Sequence, residues 1–250
     1  MPEQASAGTG SYVLGELPMV GVYEIELLDR WRLLADGEPI RLRLREQRVL
    51  TLLVLQGSVS RRRLAGMLWP ETTEIRAADS LRVSLCHIHR QSPGVLRCED
   101  GWVEVDPAVV VDLRLLSCRL ETALLDPGGE SLLEDVFLAT RELLPDWDEP
   151  WLYEEQEALR QLRLRALEAV SRHLLGLGLQ HRAWQLAQTA LRLDPMRESV
   201  ASIIARAESG QGNNASATAG LLQFISRLKT ELGVEPGPEL LDTLTQLRRV

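Results

Sequence analysis

Three consecutive arginines, Arg61, Arg62 and Arg63, directly follow Ser60, a residue type that caps helix N-termini. Cationic side chains at such a terminus, beside its free backbone amides, form a place for phosphate. A solvated charge run is the alternative reading of the same three residues. Further along, Glu74–Gln91 turned at about 100° per residue sets Arg76, Asp79, Ser80, Val83, His87 and Arg90 on one side. Arg82 and Ser84 flank them, while Ala78, Leu81, Leu85 and Ile88 gather on the opposite, core side. Arginine pairs bidentately with guanine, serine donates or accepts, and a small apolar group touches a thymine methyl. The polar side therefore suits a DNA major groove, with an ordinary solvated helix face as the alternative. Arg97 and the turn Asp100-Gly101-Trp102 sit where a hairpin tip can reach a flanking groove, with Trp102 itself read as packed beneath that hairpin. The DNA-contacting set predicted from sequence is Arg61, Arg62, Arg63, Arg76, Ser80, Arg82, Val83, Ser84, His87, Arg90 and Arg97.

Other reactive residues lead nowhere. Cys86 and His89 are about 60° apart on the helix, but His87 is about 160° from His89 on another face. No fourth ligand has useful spacing, so neither metal nor cofactor is expected. Phosphate-binding, dinucleotide-binding and nucleophile-elbow motifs are missing, and no enzyme is expected. Glu154-Glu155 with nearby Arg160 reads as surface ion pairing. Trp147, Trp151, Trp184 and Tyr153 are read as core anchors, with the acidic stretch Asp146-Trp147-Asp148-Glu149 as a lesser candidate for a basic partner.

The elements that must position these residues are legible. Val20–Leu28 alternates like a strand, Trp31–Ala35 follows, and the turn Asp36-Gly37 leads to Ile40, Leu42 and Leu44 at strand period. Glu46–Gln56 is an apolar run fit for a buried helix. Arg61–Leu68 is a second helix stopped by Trp69-Pro70, and Glu74–Gln91 is a third, capped by Thr73. Val95–Cys98 and Trp102–Val105 flank the turn Asp100-Gly101 as a hairpin. A helix pair with a short turn and a two-stranded flap is a winged helix-turn-helix. Beyond Pro107 the pattern is helix only: Asp112–Leu125, an amphipathic piece reaching Leu144, then Trp151–Leu175, His181–Leu193, Met196–Ser209, Asn213–Leu232 and Glu239–Arg249. Within it Pro195 anchors a tetratricopeptide-like unit of about 34 residues, placing Ala183, Ala187 and Ala190 where two helices must approach closely. Ile204, Ala205, Ala217 and Leu221 continue the register more weakly.

Size and charge set the outer limits. The chain has 250 residues, 45% of them apolar and 26% charged, a globular balance able to bury a core without staples. Net charge is −8, yet Ile40 to Arg97 holds eleven arginines against four acids, a basic block inside an acidic protein. Local field, screened over about 8 Å, governs binding more than the total. Three cysteines, no apolar run of membrane-spanning length and no secretory leader pattern together give a cytoplasmic expectation without membrane contact.

Several stretches, taken in order, resemble the SARP family of bacterial pathway-specific activators. Arg45-Glu46-Gln47-Arg48-Val49-Leu50 resembles the family's first helix, and Leu64-Ala65-Gly66-Met67-Leu68-Trp69-Pro70 its second. Ser80-Leu81-Arg82-Val83-Ser84-Leu85 resembles the recognition helix, and Gly101-Trp102-Val103-Glu104-Val105-Asp106 the wing. Leu144-Pro145-Asp146-Trp147, Leu193-Asp194-Pro195-Met196-Arg197-Glu198 and Glu231-Leu232-Gly233-Val234-Glu235-Pro236-Gly237-Pro238-Glu239 resemble its activator domain. Cys86-His87-Ile88-His89-Arg90 departs from the arginine-rich run of relatives.

The resemblance implies an α+β winged helix-turn-helix domain over residues 20–107, after a flexible 1–19. An all-α, tetratricopeptide-like bacterial transcriptional activator domain then fills 108–250, in the family's short stand-alone form. It also implies a sequence-specific activator that binds promoter direct repeats as side-by-side protomers. Such an activator recruits RNA polymerase and switches on a biosynthetic gene cluster, often for a secondary metabolite. The alternative is a protein-interaction adaptor whose helical array does the work while the winged helix is vestigial.

Overall fold

The computed structural model describes residues 22–128 and 141–249. The expected mobile N-terminus and most of the helical piece expected before Leu144 lie outside the described residues. In the first half, β1 (Tyr23–Glu26) pairs antiparallel with β2 (Arg32–Ala35), which pairs with β3 (Glu38–Ile40). Asp36 and Gly37 join β2 to β3 with φ of 51° and 83°, the two left-handed residues that a tight hairpin turn needs. The strand expected to run on to Leu44 stops at Ile40. Arg43 instead opens helix α1 (Leu44–Gln56), its carbonyl accepting from the Glu46 and Gln47 amides, while the Gln47 side chain donates to the Leu42 carbonyl.

Helix α1 is the centre of this half, with Val49, Leu50, Leu52 and Leu53 all fully buried. Around it stand α2 (Arg61–Leu68) and α3 (Glu74–Gln91). A second sheet orders β4 (Val59–Ser60), β6 (Trp102–Val105) and β5 (Leu96–Glu99). Two short strands, β4 and β7 (Val110–Val111), were not visible in the sequence pattern because two residues show no period. β7 lies beyond Pro107 yet runs parallel to β1, closing the first sheet in the order β3-β2-β1-β7.

The rest is helical: α4 (Asp112–Leu125), α5 (Pro150–Gly176), α6 (Gln180–Leu193), α7 (Glu198–Gly210), α8 (Asn214–Arg227) and α9 (Pro238–Leu247). A π-helical turn, Leu228–Leu232, links the last two. Ala183, Ala187 and Ala190 are fully buried, as close approach of α6 to its neighbours demands. Ala205, Ala217 and Leu221 repeat the device one hairpin later, around a smaller second core. The architecture is thus a winged helix-turn-helix followed by a tetratricopeptide-like helical array. Trp147, Trp151 and Trp184 pack partly buried against the core, but Tyr153 is exposed. Its hydroxyl donates to the Asp148 carboxylate, which holds the ring at the surface.

One core cluster runs without a break from Ile25 to Ala207, across both halves. The chain segment before α5 lies along the end of β1: the Asp29 amide donates to the Glu142 carbonyl at 2.6 Å and the Leu144 amide to the Leu27 carbonyl at 3.0 Å. From the other side, the Asp112 carboxylate accepts from the amides of Leu27 (2.8 Å) and Leu28 (3.0 Å). Burial pushes the Asp112 carboxyl above its ordinary range despite those amides. Arg141 holds the Asp29 carboxyl below its own ordinary range through a 2.7 Å hydrogen bond. Arg48 of α1 meets Glu149 at 2.6 Å, a further tie between the halves.

Asp112→Ala leaves two buried amides without an acceptor and is expected to cost about 1–3 kcal/mol, read from the midpoint of urea denaturation. Asp29 has its pKa depressed in the folded state, so its contribution is present above the ordinary carboxylate range and is lost as pH falls through the folded value. Asp29→Asn therefore lowers stability at neutral pH and makes the loss on acidification shallower. Denaturation midpoints at neutral pH and near pH ~3 read both effects.

Candidate nucleic-acid interface

Helix α3 is set by a stripe of Ala77, Leu81, Ser84, Leu85 and Ile88, all buried. The stripe is rotated from the one read in the sequence: Ala77, not Ala78, faces inward, and Ala78 is exposed. Ser84 lies inside it. Its hydroxyl is 0% exposed and donates to the Ser80 carbonyl at 3.0 Å, one turn back, so this predicted contact residue is withdrawn from the surface. Alanine and serine are both small enough to face either way, which is why periodicity misplaced them.

The opposite ridge carries Ile75, Arg76, Asp79, Arg82, Val83, Cys86 and Arg90, all exposed. Ser80 and His87 fall on its flank, half-buried. The His87 Nδ1 stands 3.6 Å from the buried Glu46 carboxylate, which ties α3 to α1. Cys86 was read only as a failed metal ligand; the rotation places it mid-ridge instead. Arg82 leans on Asp79 at 3.8 Å, while Arg76 and Arg90 have no ion-pair partner among the described residues.

Helix α2 joins this surface through its first turn. Ser60 caps it, accepting from the Arg63 amide, whereas Thr73, expected to cap α3, makes no such bond. Arg61, Arg62 and Arg63 are exposed, and Arg62 meets Glu74 at the start of α3 at 2.7 Å. The wing is fastened to the same turn: the Arg61 amide donates to the Gly101 carbonyl at 2.9 Å, and Ser60 pairs with Trp102. Starts of α2 and α3 and the tip of the β5–β6 hairpin therefore meet. Between α2 and α3 lies an apolar groove of about 550 Å³ floored by Ala65, Gly66, Trp69 and Leu81.

The wing differs from its sequence reading. Strand alternation turns Val103 and Val105 inward, so Trp102 faces out and is 52% exposed rather than packed beneath. Around it stand Glu99, Asp100 and Glu104. The wing's one cation, Arg97, is exposed but paired with Asp106 at 2.7 Å. That pair raises the Arg97 pKa, and the Ala108 amide together with Arg97 lowers that of Asp106. Positive charge is thus concentrated on α2 and α3, and the hairpin is acidic.

Residues 131–248 match the family model of the bacterial transcriptional activator domain. The fold is similar to that of Mycobacterium tuberculosis EmbR, solved in complex with a low-affinity phosphopeptide. Identity is 18% and the TM-score 0.72, over 92% of this chain and 65% of that one. The chain spans 65% of the length of EmbR, and at that identity the likeness speaks for the fold alone. No curated protein matches the sequence significantly. No helix among the described residues is long and apolar enough to cross a membrane.

The stripe and the ridge of α3 differ in what they do for the fold. Leu81→Ala is expected to cost about 2–5 kcal/mol of stability. Arg76→Ala and Arg90→Ala stay within about 0.5 kcal/mol, all three read by urea denaturation. A large loss at Arg76 or Arg90 would show that they serve the fold and not a ligand.

Proposed function

We propose that this chain is a SARP-type activator that reads double-stranded DNA through α3 and activates transcription from the promoters it marks. The observation that supports this best is the shared surface formed by the arginines opening α2 and by Arg76 and Arg90 on α3, which have no ion-pair partner among the described residues. Hydrogen bonds and an ion pair hold these elements in one rigid arrangement. At about 1.5 Å per residue α3 is long enough to cross a major groove roughly 12 Å wide. Arg76, Arg82, Val83 and Arg90 face the bases; Arg61, Arg62 and Arg63 face phosphates; Ser80, His87 and Arg97 lie at the edge of the contact. Family resemblance supports the finer reading. Protomers sit side by side as a dimer on promoter direct repeats, recruit RNA polymerase and control a biosynthetic gene cluster, all in the cytoplasm.

Selection of bound fragments from random duplexes tests this. A motif occurring twice in the same orientation is expected, with Arg90→Ala or Arg82→Ala weakening binding to it by about 1–3 kcal/mol where the arginine pairs with a base. Arg63→Ala is expected to weaken all duplexes alike and to reduce the log–log salt slope by about 0.9. The acidic surround of Trp102 favours a second reading, the protein-interaction adaptor. Equal affinity for selected and scrambled DNA at low and physiological salt would replace the activator with it.

A further inference from the structure

Strand β6 is the middle strand of the wing sheet, and its alternation sends Trp102 and Glu104 to the outer face while Val103 and Val105 are buried. Across the strands Trp102 stands between Ser60 of β4 and Glu99 of β5, and Glu104 stands opposite Arg97. Cross-strand neighbours on one face are about 5 Å apart, so Trp102 and Glu99 share one patch. Asp100, in the turn between the strands, adds a further acid at its end. Together these side chains border a solvent-open hollow of about 310 Å³.

The acids of this patch are not neutralised from within the chain. Arg97 is taken by Asp106 at 2.7 Å and acts on Glu104 and Glu99 only at longer range. Arg62 of the adjoining helix is taken by Glu74, and no ion pair among the described residues joins Arg61 or Arg63 to the wing. The side chains of Glu99, Asp100 and Glu104 make no hydrogen bond or ion pair among the described residues. Like charges gathered around a wetted aromatic gain the fold nothing. They deepen the negative potential over an indole face whose own quadrupole is already negative, which is a seat for a cation.

We propose that the outer face of the wing docks a basic segment of a partner protein, an arginine of which stacks on Trp102 and donates to Glu99 or Glu104. Arginine suits the patch better than lysine, because its planar guanidinium lies flat on the indole while its edge still reaches a carboxylate. Tryptophan and arginine are also the side chains in which binding energy concentrates at protein interfaces. A nucleic acid is disfavoured here, since its phosphates would meet Glu99, Asp100 and Glu104. The hollow is open along the sheet, so it takes side chains from a passing segment and does not enclose a whole small molecule. Docking on the wing does not depend on whether the α3 ridge meets a duplex.

Calorimetric titration of the full chain with acetyl-Gly-Arg-Gly-Arg-Gly-amide tests the proposal, beside its lysine and citrulline counterparts and putrescine, a free dication of equal charge. Saturable binding of one arginine peptide per chain is expected, at least about threefold tighter than the lysine peptide and putrescine and about tenfold tighter than the neutral citrulline peptide. Trp102→Ala should weaken binding about threefold or more, and Glu99→Gln combined with Glu104→Gln about fivefold or more. Trp102 and Glu99 stand in solvent and Glu104 has no partner, so both proteins should melt within about 2 °C of the parent. Glu154→Gln, at an exposed acid of α5, should leave binding unchanged, which separates the wing from general attraction to an acidic protein. Were Trp102→Ala to fail to fold, the Glu99→Gln and Glu104→Gln combination decides alone. Citrulline peptide or putrescine binding as tightly as the arginine peptide, undiminished binding by either wing variant, an equal loss in Glu154→Gln, or no binding at millimolar peptide would each overturn it.

Discussion

Burial of the α3 stripe against α1 and α2 decides almost everything about the first half of the molecule. Once Leu81, Leu85 and Ile88 are withdrawn from water, helical geometry leaves no freedom over which residues look outward. The ridge from Arg76 to Arg90 is a consequence of where the leucines went. The same burial helps a chain of net charge −8 present a cationic surface: of its acids only Glu74 and Asp79 lie on α3, and most of the rest are on the wing and the helical array.

Long elements with strong periodicity were legible in the sequence. Arg61–Leu68 and Glu74–Gln91 form where the Ser60 cap, Pro70 and apolar spacing place them, although Thr73 makes no capping bond. So does the hairpin around Asp100-Gly101, whose φ values of 46° and 82° only a short list of residues adopts easily. The small residues were not legible. Ala77, Ala78 and Ser84 carry too little apolar area to say which way they face, and the error rotated the reading of the exposed face by a fraction of a turn. Trp102 failed for a different reason: its size argued for burial, but its place in the β6 alternation sent it outward.

The helical half repeats one packing idea at two scales. Fully buried alanines bring α6 against its neighbours, and a looser version with Ala205 and Ala217 builds the terminal cluster around Leu221, Phe224 and Leu244. Small side chains at close-packed positions tolerate little enlargement, so this half draws its rigidity from what its residues lack.

The change of sequence pattern at Pro107 does not coincide with a division of the fold. β7 and Asp112 follow Pro107, yet one completes the first sheet and the other seats the end of its central strand. A scissor cut there would strip β1 of its parallel neighbour and leave an apolar flank wet, so the N-terminal piece made alone will be adhesive. Evolution can exchange the two halves between proteins only by carrying this short graft along with the first.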